Sequence, residues 1–420
     1  MLRRTSRNAA EAPGARGKST MSERDSHRPC RRGQAHPMRH WLLLSLCALL
    51  AACASRPTAT QAPEWLFDET LFAPPSQRVA ADDIFAVSDA MRQYLARPEV
   101  VAQLRRKGPQ RGLLDALYEK GELKLDYDAS VTRTAAQAFD ARAGNCISLV
   151  VMTAAFAREL GISVHFRAAV IDDLVSRNQN LLLRNGHVNV TLVRPFREPF
   201  RPQQDLLTID FLPPEQVKGL RTREISEATL MAMFMNNRAV ETMLDGRLDD
   251  AYAWAREAVR RDPQFLGALN TLGVVYLRRG ALTMASRVFA HVLERDADHR
   301  AALANLASAY ARLGRSDEAA ALQRRLAALE PEPPLHQFDL GLAAIERQDY
   351  RAAREHFARE MKRGEGNHEL HYWMGIASLR LGDLEQARRH LGLAFQSGPT
   401  AKDRELYAAA LESIAGGGRN

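Results

Sequence analysis

Cysteine is scarce in this chain: Cys30, Cys47, Cys53 and Cys146 are the only four in 420 residues. The first three lie before, within or at the end of an apolar N-terminal stretch, which leaves Cys146 as the only free thiol expected in the globular part. Long hydrophobic runs are also missing. The most apolar stretch, Trp41 to Ala52, has twelve residues, too few to cross a bilayer of roughly 30 Å as a helix. Nor is there an excess of one charge once the chain is divided. Residues 1–40 hold ten Lys/Arg and three Asp/Glu, or +7 of the formal +8, so the remainder carries +1. No basic surface for nucleic acid survives that division. An acidic loop of the kind that holds Ca²⁺ is absent, and no other metal or cofactor pattern takes its place, so no cofactor is expected.

What is present begins at Met38. Residues 38–53 read MRHWLLLSLCALLAAC: Arg39 and His40 form a basic start, Trp41 to Ala52 an apolar middle, and Leu50-Ala51-Ala52-Cys53 a cleavage box. The box resembles that of bacterial lipoproteins. The resemblance implies a signal peptide at 38–52 and a Cys53 whose sulfur carries diacylglycerol and which becomes the new N-terminus. At roughly 0.8 kcal/mol per buried CH₂, several acyl chains anchor stably where one does not. Ala54, where an Asp would retain such proteins in the inner membrane, implies an outer-membrane lipoprotein facing the periplasm. Residues 1–37 are Arg-rich without apolar periodicity and read as a doubtful upstream segment. Residues 53–64 contain ASRPTATQAP, the composition of a flexible lipidated tether.

Cleavage before Cys53 leaves 368 residues, enough for two or three domains. From Ala81 to about Phe139 the pattern is helical, with DDIFAVSDAMRQYL after an acidic first turn and RGLLDALYEK stopped by Gly121. A further helix runs from Cys146 to Leu160 and stops at Gly161. The period then changes to two: ISVHFRAAV (162–170), HVNVTLVRP (187–195) and DLLTIDF (205–211) read as strands, with Asn185-Gly186 as a turn and Pro213-Pro214 as the end of the block. These elements predict an α+β domain over residues 65–215 with an antiparallel sheet after the cysteine helix.

Beyond Ser226 the chain is helical and periodic. Gly246, Gly280, Gly314, Gln348 and Gly382 recur every 34 residues, as do Ala251, Ala285, Ala319, Ala353 and Ala387. Pro263, Pro331 and Pro399 fall at repeat ends, where a helix must stop. A 34-residue period with Gly at the turn and Ala at the helix crossing resembles the tetratricopeptide repeat, most fully at Leu269, Leu272-Gly273, Tyr276, Ala285 and Phe289. Five repeats are predicted over 226–400. Residues 401–420 supply a capping helix (402–415) and tail, because the last repeat would otherwise expose its apolar face.

The lone thiol opens the helix CISLVVMTAAFAREL. There it faces unpaired backbone N–H groups and the positive end of the macrodipole, both of which favour thiolate over thiol. The competing reading is a small buried apolar cysteine. A thiolate nucleophile needs a base and a group to orient that base. His187 opens a strand 41 residues after Cys146, and Asp210 ends the next strand 23 residues later. Adjacent antiparallel strands bring such positions together. His165 and Asp205 are the alternatives, His165 on an outward-facing position and Asp205 at the wrong end of its strand. The segments GNCISLVVMTAAFARELGI, NGHVNV, TIDF and the approach YDASVTRTAAQAFDARAGNC resemble the transglutaminase-like superfamily, which shares the papain-like core. That resemblance covers residues 80–212. It implies an α+β papain-like/transglutaminase-like domain followed by an all-α tetratricopeptide-repeat solenoid, with Cys146 as nucleophile, His187 as general base and Asp210 as the residue orienting it. Asn145 and Gly144 shape the turn into the helix, and the N–H of Cys146 supplies one oxyanion donor. The chain departs from the cross-linking members at Ile147, where they carry an aromatic residue, and in lacking the Ca²⁺ loop.

The repeats imply a protein or peptide partner. Asn236, Asn270, Phe338 and Tyr372 are the candidate peptide-binding residues on the first helices of the repeats, a largely apolar surface without the Lys/Asn pairs that clamp a peptide carboxylate. This groove holds an extended apolar segment or packs on the catalytic domain; the sequence leaves both open. The combined expectation is a membrane-anchored periplasmic cysteine acyl hydrolase or transferase acting on a peptide or isopeptide bond, with a protein-binding scaffold. The alternative is an inactive interaction lipoprotein.

Overall fold

A helix that is apolar around its whole circumference must be buried on all sides, and the segment after Asn145 is such a helix. In the computed structural model, helix Cys146–Glu159 buries every residue from Ile147 to Ala157. It ends at Gly161, whose φ of +68° lets the amide of Ile162 reach back to the Ala157 carbonyl. The described residues are 61–119, 125–169, 175–178, 181–184, 187–194, 206–211, 221–332, 334–363, 368–398 and 401–416, and all belong to one unit, 60–420. The signal segment, Cys53, the tether up to residue 60, Gly121, Asn185-Gly186, Asp205, Pro213-Pro214 and Pro399 lie outside them.

Before that helix come α1 (Asp89–Leu95), α2 (Pro98–Lys107), α3 (Pro109–Leu114), a wide turn at Asp115–Glu119, and α4 (Ala135–Ala141), which a capping box of Thr134 and Gln137 starts. The cysteine helix is α5. The helical pattern expected from Ala81 to Phe139 begins only at Asp89 and gives way at residues 125–134 to a short strand and a turn. The Asp128 carboxylate there accepts the Ser130 N–H at 3.0 Å, turning the backbone away from a helix. Strand β1 (Asp126–Tyr127) pairs in parallel with β2 (Ala143–Gly144), Tyr127 opposite Gly144.

The main sheet is antiparallel with order β7-β6-β3-β8, formed by β3 (Ser163–Ala169), β6 (His187–Val193), β7 (Leu206–Ile209) and β8 (Thr222–Ile225). A separate hairpin pairs β4 (Val175–Asn178) with β5 (Leu181–Arg184). Strand β8 lies beyond residue 215, in the stretch the sequence left between domains. Val188, Val190 and Leu192 of β6 are fully buried in one core with α5.

From β8 the chain passes through the cap Ser226 directly into five helix pairs: α6 (Glu227–Leu244) and α7 (Leu248–Arg261), α8 (Leu266–Arg279) and α9 (Leu282–Arg295), α10 (Arg300–Arg312) and α11 (Ser316–Leu329), α12 (His336–Glu346) and α13 (Tyr350–Arg363), α14 (His368–Arg380) and α15 (Leu384–Ser397). Helix α16 (Ala401–Gly416) follows. The periodic glycines turn between paired helices with positive φ, and Gln348 takes the same left-handed conformation at φ +60°. A Cβ on Gly273 would lie 2.4 Å from the Phe289 ring, so this position must stay bare for the helices to meet. The result is an all-helical tetratricopeptide-type solenoid.

Sheet and first repeats are not separate bodies. One core runs from Leu66 through α5 and β6 to Leu306 of α10. Residues 64–76 strap onto repeats 1 and 2. The buried Tyr276 hydroxyl accepts the Asp68 N–H and donates to the Leu66 carbonyl, both at 2.9 Å. Phe72 stacks on Tyr252 at 3.9 Å, and Asp250 accepts the Ser76 N–H at 2.6 Å. No described helix is long and apolar enough to cross a membrane.

Candidate active site

The turn into α5 is built from short side chains. Asn145 caps the helix, its Oδ1 accepting the Ser148 N–H at 3.0 Å and the Ser148 hydroxyl at 2.9 Å. Gly144 admits no side chain, because a Cβ would meet Ser148 Cβ at 2.6 Å. Cys146, a free and half-buried thiol, therefore stands at the first helical position, where backbone N–H groups have no helical partner.

His187 opens β6 opposite Ala169 of β3 and is 3% exposed. The Val190–Ile209 pair sets the β6–β7 register, so one step further Asp210 comes alongside Asn189. The Asp210 carboxylate receives His187 Nε2, 2.7 Å from Oδ1 and 2.8 Å from Oδ2, and Asn189 Nδ2 at 3.2 Å. His187 Nδ1 is buried and has no hydrogen-bond partner among the described residues. Burial alone would hold the imidazole below its usual value. The Asp210 hydrogen bond, reinforced by Cys146, outweighs burial and raises it to about 9. The three residues predicted from the sequence thus come together at one end of the sheet, Asp210 bonded to His187 Nε2 and Cys146 close enough to raise the imidazole.

The alternative histidine stands apart. His165 is exposed on β3, its Nδ1 2.8 Å from Glu224 of β8.

Two neighbours were not singled out in the sequence. Asn189 shares the face of β6 with His187, two residues along, a spacing that could have revealed it. Tyr127 reaches Cys146 through the β1–β2 pairing. Its phenol lies close enough to Cys146 for the two groups to influence each other's charge. Burial first, then the Cys146 sulfur, holds its acidity far outside the ordinary phenol range, so it stays protonated. A tyrosine upstream of the thiol in the YDASVT approach carried no spacing signal of its own.

The four repeat residues fare differently. Asn236 and Asn270 are half-buried, and Asn270 Oδ1 accepts Asn305 Nδ2 at 3.1 Å from the next repeat. Phe338 is 5% exposed with its ring 5.7 Å from Phe357, and it fills the core of the fourth repeat instead of a groove. Tyr372 packs 5.0 Å from Tyr407 of α16, against the cap. Helical periodicity places residues on a stripe without telling which neighbour covers it, and here the neighbouring helix does. The strap at residues 64–76 uses the second helices α7 and α9 and the end of α8, so it leaves the Asn positions of α6 and α8 unused.

Among the described residues no group of three or more His, Cys, Asp or Glu gathers as a metal site. Residues 301–333 match the family model described as tetratricopeptide repeat, a stretch that contains α11 and all of α10 but its first residue. No curated protein matches the chain. Among solved structures it is similar to the thermophilic TPR protein TTC0263 of Thermus thermophilus, at 20% identity over 43% of this chain and 98% of that one, TM-score 0.26. It is also similar to a tetratricopeptide repeat protein of Parabacteroides merdae, at 21% identity over 44% and 73%, TM-score 0.23. A third is YrrB, described as a TPR protein with an unusual peptide-binding site, at 20% identity over 42% and 91%, TM-score 0.23.

Proposed function

We propose that the α+β region is a papain-like, transglutaminase-like cysteine acyl hydrolase or transferase. The observation that carries this reading is the His187 ring, with its Nε2 on the Asp210 carboxylate and Cys146 close enough to raise the imidazole. In the reaction, the sulfur attacks an amide carbonyl carbon while the thiol proton resides on His187. The oxyanion is held by the Cys146 N–H, with the protonated Tyr127 phenol nearby as a second donor. Collapse breaks the C–N bond, His187 gives its proton to the departing amine, and a thioester remains. Water or a second amine, deprotonated by His187, then releases the acyl group. The protein is further read as an outer-membrane lipoprotein facing the periplasm through lipid on Cys53. Its repeats serve as a scaffold for a protein or peptide partner, as tetratricopeptide repeats do. A scaffold whose triad is inactive is the second reading, since the repeat match at residues 301–333 supports a partner-binding array with or without catalysis.

Iodoacetamide labelling at pH 6 separates the two. An enzyme alkylates rapidly at Cys146, and His187→Ala slows it by about 10²-fold or more, the scale of a general base; equally slow labelling in both proteins leaves the scaffold. For the anchor, Cys53→Ser should accumulate precursor without palmitate incorporation. Cleavage after Ala52 and sedimentation with membranes in that variant would overturn the lipid attachment.

A further inference from the structure

Glu241 belongs to the first repeat, on α6, yet its carboxylate points into the loop that precedes the nucleophile helix. Its side chain is 19% exposed. Oε1 accepts the backbone N–H of Thr132 at 2.7 Å and Oε2 accepts Arg238 Nη1 at 2.7 Å. Thr132, 2% exposed, then accepts Asn145 Nδ2 on its hydroxyl at 2.7 Å. Asn145 is the cap of α5 and the neighbour of Cys146. From the other side, Ser148 in the first turn accepts the Arg133 N–H on its hydroxyl at 2.8 Å, so residues 132–133 and the helix start are laced together at two points. Burial raises the Glu241 carboxyl above its ordinary value, and hydrogen bonds from Thr132 and Arg238 offset only part of that, as for a group held in a fixed, dry position.

We infer that Glu241, contributed by the first repeat, is a positioning residue for Cys146, acting through Thr132 and Asn145 on the first turn of α5. The Thr132 amide has no sheet partner, and Glu241, from outside the α+β region, supplies the buried acceptor it needs. A carboxylate supplies it with a charge-assisted bond. The cap in turn sets the direction of the Cys146 amide and thiol. A nucleophile misplaced by about 1 Å can lose about 10²-fold in rate, so a link through the residue next to the thiol has leverage that its distance from the chemistry hides.

The test compares full-length wild-type protein with Glu241→Gln, Glu241→Leu, Thr132→Val and the Glu241→Leu/Thr132→Val double variant. Two readings are taken: iodoacetamide labelling of Cys146 and amide hydrogen exchange of residues 146–149. Glu241→Leu should speed exchange in that turn and slow labelling, each by about tenfold. Glu241→Gln keeps an oxygen for the Thr132 N–H and should stay within about twofold. Thr132→Val cuts the next link and should reproduce the local effect even if the leucine variant does not fold. The double variant should be no worse than the worse single, because both break one chain. Unchanged exchange at 146–149 in either single variant overturns the inference, as do additive effects or equal losses in the glutamine and leucine variants. It rests on the proposed cysteine chemistry only for its consequence in rate. Wild-type labelling no faster than a free thiol would sink that chemistry, while the exchange data still decide the role of Glu241.

Discussion

Repeats 1 and 2 and repeats 4 and 5 are built from the same 34-residue unit but live in different surroundings. The first pair shares a single core with α5 and the sheet, carries the aromatic strap at Phe72 and Tyr252, and sends Glu241 to the cap of the cysteine helix. The last pair has small cores of its own, one around Phe338 and Phe357 and another around Leu391 and Ile414. It also ends on exposed apolar side chains, including Leu384 and Leu406 at 46% and 50%. A solenoid is often treated as a sum of equivalent units with nearest-neighbour terms. Here the sum is uneven: the beginning of the array is a wall of the α+β domain, and only its end behaves as a free solenoid.

The largest effect expected from this contrast comes from two matched substitutions. Phe289 and Phe357 occupy the same repeat position two units apart. Both are fully buried, and each presses on a glycine of the preceding helix, Gly273 or Gly341. Either change to Ala removes the same atoms and should cost about 3–5 kcal/mol locally. Phe357→Ala should raise amide exchange in residues 336–416 and leave Cys146 labelling at its wild-type rate. Phe289→Ala should raise exchange in α5 and the sheet as well, and slow labelling. A Phe357→Ala protein that loses thiol reactivity would make the array one cooperative body and erase the contrast.

Much of this organisation is legible in the residues, and the illegible parts share a cause. The 34-residue recurrence of Gly and Ala is a local signal because each unit repeats the same helix crossing. The cysteine helix is legible because Asn145 caps it and eleven consecutive buried residues follow Cys146. His187 and Asp210 follow from strand ends, which period-two patterns mark. Strand β8 escaped because Thr-Arg-Glu-Ile offers one apolar residue in four, with its pairing supplied entirely by β3. Glu241 and Tyr127 escaped because their roles depend on partners far along the chain or across a two-residue pairing, which no spacing encodes. Phe338 was misassigned because an apolar stripe on a repeat helix serves the adjacent helix and a ligand equally well by sequence.

A smaller, graded effect separates the two regions by pH, because their histidines are shifted in opposite directions. His187 is raised from 6.5 to about 9 against the pull of burial by Asp210 and Cys146. Its contribution to stability is complete below pH 6.5 and is lost as pH rises through 9. His371 on α14 is lowered to about 4, by burial first and then by the charges of His390 and Arg389. Its Nδ1 lies 3.0 Å from that of His390, which is also lowered. Its contribution is complete above pH 6.5 and is lost as pH falls through 4. Urea midpoints read segment by segment, with hydrogen-exchange pulses at one fixed pH, should therefore fall for the sheet between pH 6.5 and 9 and for repeats 4 and 5 between pH 6.5 and 4. Carboxylates also titrate in acid, so the decisive comparison is with variants. His371→Gln should flatten the acid loss in the last repeats while the alkaline loss in the sheet persists, and Asp210→Asn should do the reverse. If His371→Gln leaves the acid limb as steep as in the wild type, the histidine pair does not set the acid sensitivity of the array's free end, and the regional difference rests on packing alone.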